Sequence, residues 1–286
     1  MQGWLIVNSF MDQDKFINLY QMLSLAFNNR QVSLEIKKAQ DISLEVGTKL
    51  INKPDFAIFW DKDIYLAERL EKEGIRLFNT ARAVELCDNK ILMYQELAAK
   101  GVKIPRTFIA PKTFEGLNYK NREFVEYVIK EIGFPLIVKE AYGSFGEQVY
   151  LANNKDELNN IIDRIGYKDF LMQEYIKESS GKDVRINVVA NKAVVSMLRV
   201  NKQDFRSNIS SGGHGEKYEP SQDFIDLAIS ACKALGLDFA GVDVMFAKDG
   251  PIICEVNSNP QFASTLKYTG INLADYIADY IINYLW

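Results

Sequence analysis

The 286-residue sequence has one histidine and three cysteines, and this scarcity limits the metal and redox chemistry that it can support. Cys87, Cys232 and Cys254 are odd in number and no two are spaced as CxxC, so we expect neither disulfides nor a zinc site. His214, the single histidine, lies in a polar stretch, and we assign it no catalytic role. The cysteine usage favours a reducing compartment.

Long apolar runs and an excess of positive charge are also missing. The apolar stretches are short and strand-like, so no segment is expected to span a bilayer, and the start of the chain at 1–4 lacks the basic residues of a signal peptide. The net charge of −4 and the pI near 5.3 argue against nucleic acid as a partner. We therefore expect a cytoplasmic protein that binds neither membrane nor nucleic acid.

The first 80 residues alternate short apolar runs with amphipathic stretches, which indicates a parallel α/β unit. No GxGxxG sequence occurs there, so a dinucleotide site is not expected. The predicted helices span 12–29 and 64–73, and the predicted strands span 4–8, 32–36, 56–60 and 75–78.

The middle of the chain combines lysines with a small-residue loop. One helix is predicted over 83–100, with Lys90 either a solvated helix charge or part of a site. A strand over 136–140 carries Lys139 near its end, and a loop over 142–147 separates it from a strand at 148–152. Small residues let backbone N–H groups close over phosphate oxygens, although an ordinary hairpin turn would have the same composition.

The strand predicted over 170–176 ends where its backbone could meet a purine edge. The next strand, 182–189, places Asp183, Arg185 and Asn187 on one face, and for Asn187 we expect that face to be exposed to solvent. A strand over 193–199 leads into a loop that continues to Gly215 and is expected to be too polar and glycine-rich to be packed.

The sequence of residues 239–261 predicts a β-hairpin that brings three oxygen-bearing side chains together. If the hairpin is centred on Asp249, Asp243 lies opposite Glu255, and Asn257 falls on the same face. Opposed carboxylates repel each other unless a cation or a proton offsets their charge, and Mg²⁺ suits two carboxylates and an amide oxygen. A hairpin whose acids point into solvent is the alternative. The other face is predicted to be a core set comprising Val242, Val244, Phe246, Ile252, Cys254 and Val256.

From about Asn79 to its end, the sequence resembles the ATP-grasp ligases, within them the RimK-type branch. The resemblance runs through NTARAVELCDNK, GFPLIVKEAYGSFGEQV, LMQEYIKESSGKDVR, FRSNISSGG and AGVDVM…ICEVNSNP. It implies a mixed α/β and α+β ATP-grasp fold. The implied units are an N-terminal α/β domain of the Rossmann-like, pre-ATP-grasp type at 1–85, a central subdomain with a glycine-rich flap at 86–173, and a C-terminal subdomain with the metal site at 174–286.

The resemblance also implies residue roles. The implied nucleotide ligands are Lys90 and Lys139 at the phosphates, Gly143, Ser144, Phe145 and Gly146 in the flap, Glu174, Tyr175 and Ile176 at adenine, Asp183 at the sugar, and Ser207 and Asn208 near the reacting phosphate. The implied catalytic arginines are Arg206, Arg199 and Arg185, and the implied metal ligands are Asp243, Glu255 and Asn257. The implied cofactors are ATP and two Mg²⁺ ions, with Mn²⁺ as an alternative.

This sequence departs from the family pattern at the flap. Gln148 stands where relatives commonly have another glycine, and Glu147 adds an acid beside the phosphates. We therefore expect a stiffer flap.

The resemblance implies an ATP-dependent acid–amino-acid ligase. A carboxylate would attack the γ-phosphate to give an acylphosphate, and an amine would then displace phosphate to form an amide. The implied partners are a carboxylate and an amino acid, with a peptide or protein as an alternative acceptor, in a homodimer or homotetramer. Two other functions stay open: a nucleotide-binding regulatory protein without turnover, and a grasp enzyme that ligates thiols or phosphorylates its substrate.

Overall fold

Three β-sheets follow one another along the chain in the computed structural model, which describes residues 1–42 and 45–286. The strands of this described part are β1 (Gln2–Val7), β2 (Ser33–Lys38), β3 (Phe56–Trp60), β4 (Arg76–Phe78), β5 (Thr107–Ile109), β6 (Leu136–Glu140), β7 (Val149–Ala152), β8 (Phe170–Glu174), β9 (Lys182–Val189), β10 (Lys192–Val200), β11 (His214–Lys217), β12 (Phe239–Ala247) and β13 (Gly250–Asn257). The α-helices are α1 (Asp14–Asn28), α2 (Ile64–Lys72), α3 (Ala81–Asp88), α4 (Lys90–Ala99), α5 (Glu123–Ile132), α6 (Lys155–Ile165), α7 (Gln222–Leu235), α8 (Ala263–Thr269) and α9 (Leu273–Leu285).

The first sheet is parallel, with the strand order β2-β1-β3-β4. All five residues of β3 are buried, as expected for a parallel strand that is covered on both faces. Helices α1 and α9 share an apolar core with one face, and α2 and α3 share a core with the other. The strand and helix alternation predicted for this region is confirmed, with element ends displaced by one or two residues.

The second and third sheets are antiparallel. The second has the order β5-β8-β6-β7, and α5 and α6 close its core. The third has the order β11-β10-β9-β12-β13, and α3, α4 and α7 pack on its apolar face. This mixture of one parallel and two antiparallel sheets confirms the predicted fold class. The sheets occupy 2–78, 107–174 and 182–257, and the domain limits at 85 and 173 remain predictions.

The single helix predicted over 83–100 is wrong, because the chain breaks at Asn89 into α3 and α4. Asn89 has an extended backbone, and its side-chain oxygen accepts hydrogen bonds from the N–H groups of Ile91 and Leu92 at 2.9 and 3.2 Å. An asparagine that caps the next helix competes with continuation of the first. The break places Lys90 at the first position of α4.

The hairpin of β12 and β13 confirms the predicted pairing at its base and corrects it further along. Asp243 pairs with Glu255, but the next pair is Val244 with Ile253, so Cys254 is an extra residue in a β-bulge. The bulge moves Ile253 into the core in place of Ile252 and Cys254. The predicted core set is therefore wrong at those two positions.

The loop before Gly215 is packed, contrary to expectation. Ser207 is buried, and β11 pairs with β10 from His214 onward. A Cβ at Gly213 would lie 2.5 Å from the carbonyl oxygen of Ser207, so the glycine permits a close backbone approach that a larger residue would block. In this loop glycine allows tight packing. No helix of the described residues is both long enough and apolar enough to cross a membrane.

Candidate active site

A cleft lies between the second and third sheets and collects most of the residues that the sequence singled out. Its walls come from β6, β7 and β8 on one side and from β9, β10, β12 and β13 on the other. The predicted site residues that line it are Lys90, Lys139, Gly146, Glu174, Tyr175, Ile176, Asp183, Arg199, Arg206, Ser207, Asn208, Asp243 and Glu255.

Two lysines bring positive charge into this cleft. The Lys139 ammonium is buried and donates a hydrogen bond to the Tyr94 hydroxyl at 2.8 Å, and no carboxylate of the described residues lies within 4 Å of it. Burial raises the pKa of Tyr94, so the phenol stays neutral, and it donates in turn to the carbonyl oxygen of Cys254. A buried ammonium that makes no ion pair favours the binding of an anion from outside the chain.

Lys90 is held at the start of α4 by its own backbone. Its N–H donates to the carbonyl oxygen of Ala141 at 2.8 Å, and its ammonium donates to the carbonyl oxygen of Gly143 at 3.0 Å. The same ammonium lies 3.5 Å from Glu255. Lys90 thereby joins the flap to the carboxylate pair on the third sheet.

An alternating row of acids and arginines crosses the third sheet. Asp183 faces Arg199 and Asp243 faces Arg185 in the strand register. Arg199 donates to both Asp183 oxygens at 2.7 and 2.6 Å and to Asp243 at 2.9 Å, and Arg185 donates to Asp243 at 2.8 Å. Ser207 donates to Asp183 at 2.6 Å. The row fixes the two arginines that the sequence assigned to catalysis.

Buried charges in this row have pKa values moved by their partners. Burial alone would raise the pKa of Asp243, but Arg185 and Arg199 outweigh it, so this pKa lies below its usual value. Burial would lower the pKa of Arg199, but Asp183 and Asp243 raise it. Each group therefore stays ionised.

The proposed metal ligands meet at the base of the hairpin. Asp243 and Glu255 are directly opposed across the hairpin. Asn257 lies two residues beyond Glu255 on β13, opposite Gly241, so the side chains of all three residues lie on one face of the sheet. The described residues include no group of three or more histidines, cysteines, aspartates or glutamates that could enclose a metal. Two carboxylates and one amide oxygen fit Mg²⁺, which usually keeps water and phosphate oxygens as its other ligands.

The flap joins β6 to β7 and is braced from three sides. Arg206 donates to the carbonyl oxygen of Gly146 at 2.7 Å, Lys62 donates to the Ser144 hydroxyl at 3.2 Å, and the Lys15 ammonium lies 4.6 Å from the centre of the Phe145 ring. Within the flap, the Ser144 N–H donates to the Gln148 side chain at 3.2 Å.

The Gln148 side chain packs against the flap backbone, and the stiffer flap expected from it stays a prediction. A Cβ at Gly143 would lie 2.3 Å from the Gln148 amide oxygen, so the Gln148 side chain fills the space beside the flap backbone. The Gly143 carbonyl oxygen accepts a hydrogen bond from the Lys90 ammonium, although Gly143 does not line the cleft.

The adenine end of the cleft has apolar walls and a polar strand end. The Glu174 carboxylate accepts a hydrogen bond from the N–H of Arg106 at 2.8 Å. The carbonyl of Ile176 accepts from Ser179, while the N–H of Ile176 has no hydrogen bond within the part of the chain that the structure describes. The apolar lining consists of Pro105, Ile137, Val149, Ile176, Phe205 and Met245.

A second cavity of about 340 Å³ adjoins this cleft, and Arg199, Asn208 and Glu255 line both. Four of the five remaining predicted site residues, Arg185, Ser144, Phe145 and Asn257, line this second cavity, and Gly143 lines neither cavity. Its other walls come from the N-terminal unit and from the chain after β13, and they include Lys15, Tyr20, Trp60, Asp61, Lys62, Asn259, Gln261 and Thr265.

The solvent-exposed position expected for Asn187 is wrong. Its side chain is 1% exposed and donates a long hydrogen bond of 3.4 Å to the hydroxyl of Thr265. The chain after β13 folds back as α8 over this face of the third sheet, so the polar face of β9 is covered.

A family model described as the RimK-like ATP-grasp domain matches residues 87–281 of the chain, well over half of it. The chain belongs to the RimK-like ATP-grasp family. The resemblance stated from the sequence motifs is therefore confirmed.

This RimK-like protein is 33% identical to β-citrylglutamate synthase B of Danio rerio over 270 residues, which cover 89% of this chain and 64% of that protein. The chain thus spans less than two thirds of that relative's length. Among solved structures, a RimK domain ATP-grasp protein of Sphaerobacter thermophilus aligns with a TM-score of 0.75 and 20% identity over 98% of this chain and 99% of that one. The ATP-grasp ligase PsnB, solved with a phosphomimetic variant of a minimal precursor, Mg and ADP, aligns with a TM-score of 0.72 and 18% identity over 99% and 98%.

In the present chain, the candidate functional residues that the sequence did not reveal line the second cavity. Asp61 follows β3, at the carboxyl end of a parallel strand, where ligands commonly bind in open α/β sheets. Its position at the end of a parallel strand could therefore have predicted a role for Asp61 in ligand binding. Asn259 and Gln261 follow the hairpin motif directly, but only the fold brings them to the same cavity as Asp61.

Proposed function

We propose that this protein is an ATP-dependent carboxylate–amine ligase that forms an amide through an acylphosphate. The observation that carries the proposal is the junction of two cavities. A cationic cleft with apolar walls at one end meets a second cavity, lined by both polar and apolar side chains, at Arg199, Asn208 and Glu255. A nucleotide and a second substrate could therefore meet at these residues, as phosphoryl transfer to a carboxylate requires.

In this proposal ATP occupies the cleft with its base at the end of β8 and its phosphates at the lysines. Lys139 supplies a buried cation, and Lys90 supplies a second one beside the flap. Phosphoryl transfer depends mainly on positioning and on neutralising charge, and fixed cations provide both. The PsnB complex is described as holding Mg and ADP, which supports the same ligands here.

Asp243, Glu255 and Asn257 would hold Mg²⁺, either one ion or two, with Mn²⁺ as an alternative. When bound, the ion would neutralise charge on the phosphate oxygens. Asp243 is paired with both Arg185 and Arg199, whereas Glu255 has only a longer contact with Lys90 among the described residues. Glu255 would therefore attract a cation more strongly than Asp243 would.

The flap would close the reaction off from water. Its contacts with Arg206, Lys62 and Lys15 come from the C-terminal and N-terminal units of the chain, so closure depends on the assembly of both against the flap. Exclusion of water protects an acylphosphate from hydrolysis. Arg206 would then be at the transferring phosphate while it holds the Gly146 carbonyl.

The relative's name indicates the substrates to test first. A synthase of β-citrylglutamate joins citrate to glutamate, so citrate and other carboxylates serve as candidate acceptors and L-glutamate as a candidate amine. A peptide or protein acceptor belongs to the same proposal, and so does assembly into a dimer or tetramer.

The test is an ADP-release screen with pools of carboxylates and amino acids, followed by mass spectrometry of the products. Hydroxylamine is added in a parallel series because it converts an acylphosphate into a stable hydroxamate. We expect ADP release that depends on a carboxylate, together with an amide or hydroxamate product. ATP binding without either product would favour the regulatory alternative, and a phosphorylated or thioester product would favour the others.

A further inference from the structure

Unpaired polar atoms concentrate in the second cavity. Among the described residues, six buried side-chain nitrogen or oxygen atoms have no hydrogen-bond partner. Four of the six belong to residues that line this cavity: one oxygen of Asp61, the amide oxygen of Asn259, and both amide atoms of Gln261. Buried polar groups are nearly always paired in folded proteins, so we expect these atoms to bind water or a ligand from outside the chain.

Asp61 is the charged member of this set. Its side chain is 6% exposed, and its Oδ1 accepts hydrogen bonds from Asn8 at 3.0 Å and from the N–H of Lys62 at 2.7 Å. Its Oδ2 accepts none. The Lys62 ammonium lies 2.5 Å from Asp88 instead. No lysine or arginine of the described residues lies within 4 Å of the Asp61 carboxylate, which leaves a buried anion without a counterion.

The pKa of Asp61 agrees with this geometry. Burial raises it, and the hydrogen bonds from Asn8 and Lys62 offset only part of that rise. A cation placed at Oδ2 would remove the cost of burying the charge.

Three of the unpaired atoms are acceptor oxygens, and they belong to Asp61, Asn259 and Gln261, which all line the cavity. An ammonium group has three N–H donors and a positive charge, so it could satisfy acceptors of this kind and neutralise the carboxylate. Asn259 is fixed relative to Asp61, because its amide nitrogen donates to the Asp61 carbonyl oxygen at 2.9 Å.

A separate cationic side chain, that of Lys15, lines another wall of the cavity. The Lys15 ammonium lies over the Phe16 and Phe145 rings, at 4.9 and 4.6 Å, with no carboxylate of the described part within 4 Å. It is therefore available to an anionic group of the same ligand.

We propose that Asp61, with Asn259 and Gln261, binds the ammonium group of the amine co-substrate, and that Lys15 attracts its carboxylate. This inference rests on the proposed ligase function and assigns the second cavity to an amino acid. Asp61 is then a specificity residue: it selects a primary ammonium over neutral nucleophiles of similar size.

The experiment compares two nucleophiles in the carboxylate-dependent ADP-release assay. L-Glutamate and the other common amino acids are tested singly, and hydroxylamine serves as a small nucleophile that is largely neutral at mildly alkaline pH. For Asp61→Asn we expect the apparent KM of the active amino acid to rise about 10- to 100-fold, the usual effect of losing a hydrogen-bonded charge. The KM for hydroxylamine and for ATP should change less than about twofold.

Asp12→Asn is the matched control. Asp12 is exposed, pairs with Lys38 at 3.0 Å, and does not line the cavity, so its loss changes the net charge equally without touching the site. Gln261→Leu is a second variant that removes the unpaired amide, and it should raise the amino-acid KM in the same direction.

The outcomes separate the two proposals. The assignment of Asp61 is wrong if the KM for the amino acid is unchanged in both Asp61→Asn and Gln261→Leu. It is also wrong if the KM values for the amino acid and for hydroxylamine rise equally. The ligase function stands in either case. Hydroxamate formation by the wild type without activity for any amino acid also overturns it. Absence of both hydroxamate and amide with the wild type contradicts the ligase function itself.

Discussion

Arg206 donates a hydrogen bond to the carbonyl oxygen of Gly146 at 2.7 Å, and this contact joins the loop after β10 to the flap. The same guanidinium donates to both oxygens of Asp204, at 3.0 and 2.7 Å. That pairing lowers the pKa of Asp204 and fixes the direction of the arginine. Since the planar group makes three directed contacts, a lysine could not replace it.

Arg206→Lys should therefore lower kcat by about 10² to 10³, as when one transition-state donor is lost, with a much smaller change in ATP affinity. Steady-state kinetics together with calorimetric titration of ATP measure the two effects. If the variant loses ATP binding and keeps its kcat, Arg206 belongs to the nucleotide site and not to phosphoryl transfer.

Gly146→Ala should impair turnover through a steric effect at the flap. Gly146 has φ of +78°, and a Cβ there would lie 2.8 Å from the side-chain oxygen of Asn208. The left-handed backbone alone costs about 1 to 2 kcal/mol for a residue with a side chain. Gly166→Ala is the control, because Gly166 has φ of +72° with no atom within 4 Å of the added Cβ. Equal stability losses with a turnover defect only at Gly146 would support the prediction, and equal turnover would contradict it.

Glu255→Gln and Asp243→Asn should separate metal binding from folding. Glu255 has one ion-pair partner at 3.5 Å, so its variant should lose Mg²⁺-dependent ADP release with little change in thermal stability. Asp243→Asn leaves Arg185 and Arg199 without one carboxylate, and breaking such a buried pair costs about 3 to 5 kcal/mol. Thermal unfolding and Mg²⁺ titrations of both variants test the contrast. Near-normal release by Glu255→Gln at saturating Mg²⁺ would contradict the metal assignment.

Asp61→Asn should stabilise the free protein at neutral pH by about 1 to 3 kcal/mol, because it removes a buried carboxylate that lacks a counterion. The folded-state pKa of Asp61 is raised, so the native state binds the proton more tightly than the unfolded chain. The cost to the wild type is therefore full above the raised pKa and declines as the pH falls through it towards the ordinary aspartate value. Urea unfolding of both proteins at pH 5 and pH 8 should show the larger difference at pH 8. A variant less stable than the wild type at both values would contradict this account.

The sequence could predict features that depend on neighbours along the chain. A turn centred on Asp249 and a period of two predicted the pairing of Asp243 with Glu255. The structure has that pair because the bulge at Cys254 offsets a tighter turn in which Ala247 pairs with Gly250. The bulge at Cys254 could not be predicted, because an extra residue leaves the local pattern almost unchanged. The break at Asn89 was missed since the stretch has helical periodicity on both sides of it.

Features that depend on distant contacts were less accessible. Asn187 lies on a polar face of β9, and only the return of the chain as α8 shows that this face is covered. Asp61 and Gln261 are 200 positions apart and share a cavity only after folding. The motifs located the nucleotide cleft, whereas the second cavity required the packing of the N-terminal unit against the rest.

The packing of α9 on the first sheet has a consequence for synthesis. Leu273, Ile277 and Ile281 are fully buried in the same core as β1 and β3. A growing chain makes the first sheet and α1 long before it makes α9, so in the meantime α1 alone covers that face. Domains usually fold from the N-terminus as they leave the ribosome. Here the first unit can complete its core only when residue 281 has emerged, so part of its apolar face stays uncovered until then.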